Sequence, residues 1–276
     1  MTGKQLRLSR FRYRRSARGQ ASYGLIVPID HGLTIGPVEG IQNVSQISTW
    51  IGDPAITGVI AHKGMIERLA ARELLGGMGV MMHLNGMSTL GPTPDRKERL
   101  TAIETALRLG ADGVSLQVNF DGANDAHNLR ELGRVVDEAG VYGLPVLTML
   151  YDKAAAEDGK RLERMRHLLR ICLELGADAV KIAPPKRLSE IPELLEGIAD
   201  DLPIFFAGGS VMGDLDLLRL AELAIAHRAA GLCVGRNVFQ REAPEDILHR
   251  LHALFEEPAF PSKSIAAPAR RVEAVT

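Results

Sequence analysis

Eight short apolar runs limit how this chain can fold. They lie at residues 24–32, 56–61, 79–84, 113–118, 145–151, 179–183, 203–207 and 231–235. Their starts are about 23 to 34 residues apart, a spacing typical of strand–helix units that build a parallel sheet. Eight consecutive units predict a closed (β/α)8 barrel, the TIM-barrel architecture, in a single domain.

The segments between these runs carry apolar residues at helical spacing. They include residues 63–75, 96–109, 128–139, 161–175 and 214–229. Two of them end in Leu-Gly-Ala-Asp, which places Gly110 and Gly176 where a helix C-cap is expected, just ahead of a strand. An open doubly wound sheet is the rival architecture, but no Gly-x-Gly-x-x-Gly motif follows the first run. The pattern therefore favours the barrel.

Composition and charge narrow the possible partners. The 276 residues carry a net charge of −1, so no overall field draws the protein to nucleic acid or to a membrane. Cys172 and Cys233 are too few and too far apart for a disulfide framework or a Cys-x-x-Cys metal site. No run reaches the ~20 apolar residues of a membrane span, and no signal-peptide core is expected at the N-terminus. We expect a cytoplasmic protein.

Three parts are predicted along the chain. Residues 1–23 form a basic N-terminal segment, residues 24–257 form the barrel domain, and residues 258–276 form a flexible C-terminal tail. The basic segment could attract an anionic substrate or partner, although such a run is more often a solvated helix face. Its arginines are Arg7, Arg10, Arg12, Arg14, Arg15 and Arg18.

A lysine interrupts the sixth apolar run. Alternation along the strand places Lys181 on one face with Ala179 and Ala183, which leaves room beside it for a carbonyl substrate. Burial disfavours an ammonium group, so we expect the pKa of Lys181 to fall below about 10.4. The neutral amine would be a nucleophile; the alternative is a lysine that snorkels to the strand end. The other lysines are in stretches typical of loops, helix ends or tails: Lys4, Lys63, Lys97, Lys153, Lys160, Lys186 and Lys263.

Polar residues end two further runs, and the carboxyl ends of TIM-barrel strands are where such folds carry their chemistry. Asp30 ends the first run and Tyr151 the fifth, so both are predicted to meet Lys181 at one cavity. A lysine, a tyrosine and a carboxylate are what catalysis through an imine requires, because the amine attacks a ketone while other groups move protons. His31, directly after Asp30, is assigned to substrate binding.

The fourth run has one polar face, formed by Ser115, Gln117 and Asn119. If this face points into the barrel, it could donate hydrogen bonds to substrate hydroxyl groups. The alternative, left open here, is that these side chains satisfy one another inside a tight barrel.

Glycine turns follow the seventh and eighth runs, where many barrels bind phosphate through exposed backbone N–H groups. Gly208 and Gly209 follow the seventh run, and Gly235 with Arg236 the eighth. Arg236 could add a charge-assisted contact. The pattern predicts a phosphorylated substrate.

Three histidines form a competing constellation, because His31, His62 and His83 end the first three runs. Together they could hold Zn²⁺ and polarise a carbonyl group, which is the other way to run an aldol reaction. However, His62 is followed at once by a helix start, and no carboxylate or cysteine joins the histidines at ligand spacing. We therefore expect neither a metal nor another cofactor.

Several motifs taken together resemble the class I, Schiff-base aldolases of the archaeal fructose-bisphosphate aldolase type, the DhnA family. The similarity covers about residues 24–243. The motifs are Val-Pro-Ile-Asp-His-Gly at 27–32, His-Lys-Gly at 62–64, Val-Lys-Ile at 180–182, Ala-Gly-Gly at 207–209 and Val-Gly-Arg-Asn-Val-Phe-Gln at 234–240. The first motif is more similar to the 2-amino-3,7-dideoxy-heptulosonate synthase branch than to the glycolytic aldolases.

This resemblance implies a TIM-barrel enzyme with Lys181 as the Schiff-base lysine, Tyr151 as acid/base and Asp30 as a second acid/base or orienting carboxylate. It implies a phosphorylated keto-sugar donor resembling dihydroxyacetone phosphate, an acceptor such as aspartate semialdehyde, and a homo-oligomer, in relatives a decamer. Fructose-bisphosphate cleavage and acyl transfer are alternatives, because the residues after Tyr151 and Lys181 depart from the branch pattern. A metal-dependent barrel enzyme and a non-catalytic scaffold are weaker alternatives.

Overall fold

The structure, a computed structural model, describes residues 2–12, 23–154 and 160–256. Within these ranges eight parallel strands close into a barrel, which confirms the predicted architecture. Around the barrel the strands follow the order β1-β10-β9-β8-β7-β6-β3-β2. They are β1 (Gly24–Pro28), β2 (Gly58–Ala61), β3 (Gly79–His83), β6 (Gly113–Phe120), β7 (Val146–Asp152), β8 (Ala179–Ile182), β9 (Ile204–Ala207) and β10 (Gly231–Cys233).

Helices alternate with these strands along the chain. They are α1 (Gly3–Ser9), α2 (His31–Ile35), α3 (Val44–Ser48), α4 (Lys63–Ala70), α5 (Ile103–Arg108), α6 (Asp125–Val141), α7 (Arg161–Glu174), α8 (Ile191–Leu195), α9 (Asp214–Ala226), α10 (Arg236–Phe239) and α11 (Pro244–Glu256), with a 3₁₀ turn at Leu188–Glu190. In the part of the chain that the structure describes, no helix has the length and apolar character needed to cross a membrane.

The helix predicted over residues 96–109 was too long. Residues 98–99 instead form β5 (Glu98–Arg99), which pairs antiparallel with β4 (Asn85–Gly86) just after β3. Asn85 anchors this pair, because its side chain exchanges two hydrogen bonds of 2.8 Å with the backbone of Gln117. The segment between β3 and α5, which contains β4 and β5, is therefore fixed to β6 at the carboxyl end of the barrel.

Strand alternation divides the apolar side chains between two cores. Side chains that face outward, such as Val180 and Ile182, pack against the surrounding helices in a large cluster. Side chains that face inward fill the barrel, and Met149, Ala179 and Phe205 belong to this smaller cluster. Lys181 has the same parity as Ala179, so its side chain enters the barrel.

The Leu-Gly-Ala-Asp sequence occurs twice and has the same structural role in both places. Gly110 and Gly176 both have positive φ angles, 71° and 83°, and each reverses the chain after a helix, as predicted. The aspartates that follow accept hydrogen bonds of 2.9 Å from strand amides, Asp112 from Val80 and Asp178 from Val146. Each helix end is thereby joined to the start of a neighbouring strand.

The basic N-terminal segment reaches the amino end of the barrel. Lys4 and Arg10 pair with Asp178 and Asp112, at 2.9 and 2.6 Å. These contacts set α1 beneath the strands. Arg14, Arg15 and Arg18 of the predicted basic run lie outside the described residues, as does the predicted tail at residues 258–276. The three-part division therefore stays a prediction.

Phe11 closes the amino end of the barrel. It is completely buried and belongs to the inward-facing cluster. Glycines make room for it: a Cβ at Gly58 would lie 2.5 Å from the Phe11 ring, and one at Gly79 would lie 2.8 Å from it. An added Cβ at Gly24 would lie 2.1 Å from the Phe11 carbonyl oxygen. The strand starts are therefore shaped around this ring.

We predict that Phe11→Ala lowers the free energy of unfolding by about 3–5 kcal/mol, the usual cost of emptying a buried phenylalanine site. Leu6→Ala is the matched control, because Leu6 lies on the same segment with 56% of its surface exposed; its effect should stay within about 0.5 kcal/mol. Denaturant unfolding measures both. Equal small effects for the two variants would mean that Phe11 does not close the barrel.

Candidate active site

Asp30 begins the site at the carboxyl end of β1. It is the N-cap residue of α2, yet its side chain makes no capping hydrogen bond. Its oxygens instead lie 3.8 Å from His31 Nδ1 and 3.7 Å from His83 Nε2. An aspartate at this position ordinarily accepts from the first helical amides, so the carboxylate is turned into the barrel mouth.

Three histidines surround this carboxylate. His83 Nδ1 lies 2.9 Å from Ser115 Oγ, and the His62 and His83 rings meet edge to face with centroids 5.1 Å apart. Burial, which outweighs the charge of Asp30, lowers the pKa of His83 to about 3 and also lowers the pKa of His31 and His62. All three rings are therefore neutral at neutral pH, and the cluster's charge resides on Asp30.

Asp30 itself stays ionised. Burial alone would raise its pKa, but the protonated forms that His83, His31 and His62 take at low pH, together with the Lys181 ammonium group, outweigh burial and lower the pKa to about 2. The side chain is 15% exposed. A carboxylate is thus available at the mouth across the physiological range.

Lys181 stands between Met149 of β7 and Phe205 of β9 in the strand register. It is 7% exposed, and its ammonium group has no hydrogen bond or direct ion pair within the described ranges. Burial lowers the pKa of Lys181, but the ionised forms that Cys233 and Tyr151 take at high pH, together with the carboxylate of Asp30, outweigh it, and the net shift is upward. The expected lowering was wrong, because the sequence concealed these neighbours. Lys181 is protonated at rest.

Tyr151 lies on the same side of the barrel as Lys181. It is half-buried at the end of β7 and packs against the inward-facing cluster. The polar face of β6 also points inward: Ser115 contacts His83, Gln117 donates to Asn119 at 2.8 Å, and Asn119 donates to the Asp95 carbonyl at 2.9 Å. These polar groups therefore do satisfy one another, at least in part.

The two glycine turns lie side by side and are joined by a buried asparagine. Asn237 accepts from the Met212 amide at 2.9 Å and donates to the Ser210 carbonyl at 3.1 Å. A Cβ at Gly208 would lie 2.3 Å from Asn237 Nδ2, so that glycine is needed for packing. Gly209 follows in the same turn. The sequence motif contained Asn237, but its role in joining the turns depends on tertiary contact.

Gly235 connects this corner to Asp30. A Cβ there would lie 3.0 Å from His31 Cε1 and 2.7 Å from the Pro28 carbonyl oxygen. The turn therefore packs directly against the end of β1. Arg236 Nε and His31 Nδ1 are both buried and lack hydrogen-bond partners in the described part of the chain. Two nitrogen atoms are thus unsatisfied beside Gly235.

Sequence reasoning missed a second buried lysine. Lys97, at the start of the helix predicted over residues 96–109, is only 3% exposed. Its charge acts on His83, and the charges of Asp30 and Asp95 act on it. Nothing in the local sequence signals such burial, because it results from the pairing of β4 with β5 over the mouth.

Two other features lie near this centre. Across the described residues, no three His, Cys, Asp or Glu side chains are arranged to hold a metal ion. A cavity of about 540 Å³ opens between the loops after β7 and β8, lined by Tyr151, Pro184 and Pro185 but by neither Lys181 nor Asp30. This cavity therefore shares Tyr151 with the centre at the barrel mouth but contains neither its lysine nor its aspartate.

An inward-facing lysine with an acidic and a phenolic neighbour, at the carboxyl end of a closed parallel barrel, defines a TIM-barrel protein with an amine centre. The model of the DeoC/LacD family aldolases matches residues 24–241. The chain belongs to that aldolase family.

Similar proteins support the resemblance seen in the motifs, which is confirmed. The chain is 34% identical to 2-amino-3,7-dideoxy-D-threo-hept-6-ulosonate synthase 1 of Archaeoglobus fulgidus over 92% of this chain and 91% of that protein. It is 27% identical to a 2-amino-4,5-dihydroxy-6-oxo-7-(phosphonooxy)heptanoate synthase of Streptomyces griseus, over 83% of each chain. A solved Schiff-base-forming fructose-1,6-bisphosphate aldolase superposes with a TM-score of 0.77 at 25% identity, covering 92% of this chain and all of the other.

Proposed function

We propose that this aldolase forms a carbon–carbon bond through an imine between Lys181 and a phosphorylated keto-sugar donor. The observation that carries the proposal is the position of Lys181: an amine without a hydrogen bond to any described residue, buried inside the barrel, beside Tyr151 and within the field of Asp30. A buried ammonium without a partner is costly, so a purely structural role explains it poorly.

The proposed reaction starts with loss of a proton from the Lys181 ammonium. The neutral amine attacks the donor ketone, the carbinolamine loses water, and the imine then loses a proton from its neighbouring carbon to give an enamine. The enamine carbon attacks the acceptor aldehyde, and water releases the product. Tyr151 is proposed to exchange protons with the departing hydroxyl group, and Asp30 to hold or accept protons as a carboxylate.

The donor phosphate is proposed to bind at the turns after β9 and β10. Arg236 Nε and His31 Nδ1 supply unsatisfied nitrogen atoms there, and a phosphate oxygen is a strong acceptor for both. Gly208, Gly209 and Gly235 have no side chains that would cover the backbone N–H groups of these turns. Because packing already explains Gly208 and Gly235, the two nitrogen atoms support the phosphate more strongly than the glycines do.

The Streptomyces relative's product name suggests both substrates. A 2-amino-4,5-dihydroxy-6-oxo-7-phosphonooxy chain breaks between C4 and C5, the β and α carbons of the C6 ketone, into aspartate semialdehyde (C1–C4) and dihydroxyacetone phosphate (C5–C7). We propose these two as donor and acceptor for this chain. Fructose-bisphosphate cleavage is the second candidate, favoured by the superposed aldolase, and it shares the donor. We also propose a cytoplasmic homo-oligomer that needs no cofactor.

Borohydride trapping tests the imine. With dihydroxyacetone phosphate present, we predict a covalent adduct at Lys181, detected by peptide mass spectrometry, that still forms in EDTA. Lys181→Met should abolish the adduct. Lys63→Met is the matched control, because Lys63 also follows a barrel strand but is exposed, and it should be labelled like the wild type. An adduct on another lysine, or activity lost in EDTA and restored by Zn²⁺, would contradict the proposal.

Arg236→Ala tests the phosphate site. Losing a charge-assisted contact of about 1.5–3 kcal/mol should raise KM for the phosphorylated donor roughly 10- to 150-fold, with a much smaller fall in kcat. The KM for unphosphorylated dihydroxyacetone should be nearly unchanged by this substitution. Arg219→Ala is the control, since Arg219 lies 62% exposed on α9 and pairs with Glu222. Equal weakening of both donors would make Arg236 a structural residue.

A further inference from the structure

The second buried lysine is not used by the reaction as described so far. Lys97 precedes β5, and its backbone is held in place because its carbonyl oxygen lies 2.8 Å from His127 Nε2 on α6. The residue is 3% exposed. An ammonium group so placed ordinarily has an ion-pair partner, because an unpaired buried charge is expensive.

Among the residues that the structure describes, Lys97 has no such partner. Neither a hydrogen bond nor an ion pair of its ammonium group occurs among residues 2–12, 23–154 and 160–256. The nearby Asp95 is already engaged, since it pairs with Lys153 at the end of β7. Burial and the charge of Lys153 lower the pKa of Lys97, while Asp95 and Asp30 oppose them. The environment of Lys97 is therefore short of negative charge.

The strand pair next to Lys97 places this residue near the barrel mouth. The charge of Lys97 lowers the pKa of His83, and the charge of Asp30 raises that of Lys97, in agreement with this position. Asn85, whose strand pairs with β5, is anchored to Gln117 of β6. Lys97 is thus held above the β3–β6 side of the barrel.

The barrel places this lysine opposite the donor's phosphate. In the closed order of eight strands, β3 is four strands from β9 in either direction. A donor bound by its phosphate near β9 and β10, and joined to Lys181 on β8, directs its reacting carbon away from the phosphate. A donor held in this way would point that carbon toward β6 and β3, and the acceptor aldehyde would then approach on the side of Lys97.

We propose that Lys97 binds an anionic group at the far end of the acceptor aldehyde and so selects charged acceptors over neutral ones. This specificity role rests on the proposed function. A carboxylate, as in aspartate semialdehyde, and a phosphate, as in glyceraldehyde 3-phosphate, would both supply the missing negative charge.

Steady-state kinetics with three acceptors test the proposal: aspartate semialdehyde, glyceraldehyde 3-phosphate and neutral propionaldehyde. Lys97→Met should raise KM for the charged acceptor that the enzyme uses roughly 10- to 150-fold, while kcat at saturation and kcat/KM for propionaldehyde change less than about threefold. Whichever charged aldehyde shows the loss identifies the anion. Lys97→Arg keeps the charge and should recover part of the selectivity. Lys63→Met is the exposed control and should leave all three unchanged.

Donor trapping at Lys181, run in parallel on Lys97→Met, separates this proposal from the proposed function. Normal trapping shows that the variant is folded and forms the imine. Given normal trapping, three outcomes would overturn the role of Lys97: equal losses with charged and neutral acceptors, a rise in KM confined to the donor, or a wild-type enzyme without preference for charged acceptors. If the wild type also formed no adduct with the donor, the proposed imine at Lys181 would be contradicted instead.

Discussion

The charge of Asp30 acting on Lys181 organises the centre of this barrel. The carboxylate is ionised at neutral pH, and the buried histidines around it are neutral, so its field is not cancelled by them. That field helps to keep Lys181 protonated despite burial. The Lys181 amine is therefore held as an ammonium group at neutral pH.

The rest of the fold positions these two groups within the barrel. Asp30 is released from capping α2, and it faces His83, which in turn contacts Ser115 on the inward face of β6. Phe11 is completely buried and fills the opposite end of the barrel interior. Asn237 joins the two turns proposed to bind phosphate. The inward-facing side chains around Phe11 are thus apolar, whereas polar side chains gather around Asp30.

Most of the fold could be predicted from the sequence, because the periodicity of apolar residues that marks a strand or a helix is a property of a short segment. Each barrel strand was visible as an apolar run, and the strand-end residues Asp30, Tyr151 and Lys181 could be named because parallel strands end at one face. What could not be predicted depends on contacts between distant segments. The burial of Lys97 requires β5 to return to β4, and the upward pKa shift of Lys181 requires Cys233 and Asp30 from two other strands. The helical pattern over residues 96–109 predicted a helix that was too long, because pairing of β5 with β4 overrides the helical propensity of residues 98–99.

The pH dependence of imine formation tests the central interaction most directly. With cyanoborohydride as the trapping agent, the initial rate of adduct formation at Lys181 can be followed from pH 6 to pH 9 in the wild type and in Asp30→Asn. Because a raised pKa leaves little neutral amine, the wild-type rate should rise about tenfold per pH unit. Removing the Asp30 charge should lower the pKa of Lys181, so the Asp30→Asn profile should level off at lower pH. Profiles of identical shape in the two proteins would contradict the claim that Asp30 sets the charge of Lys181.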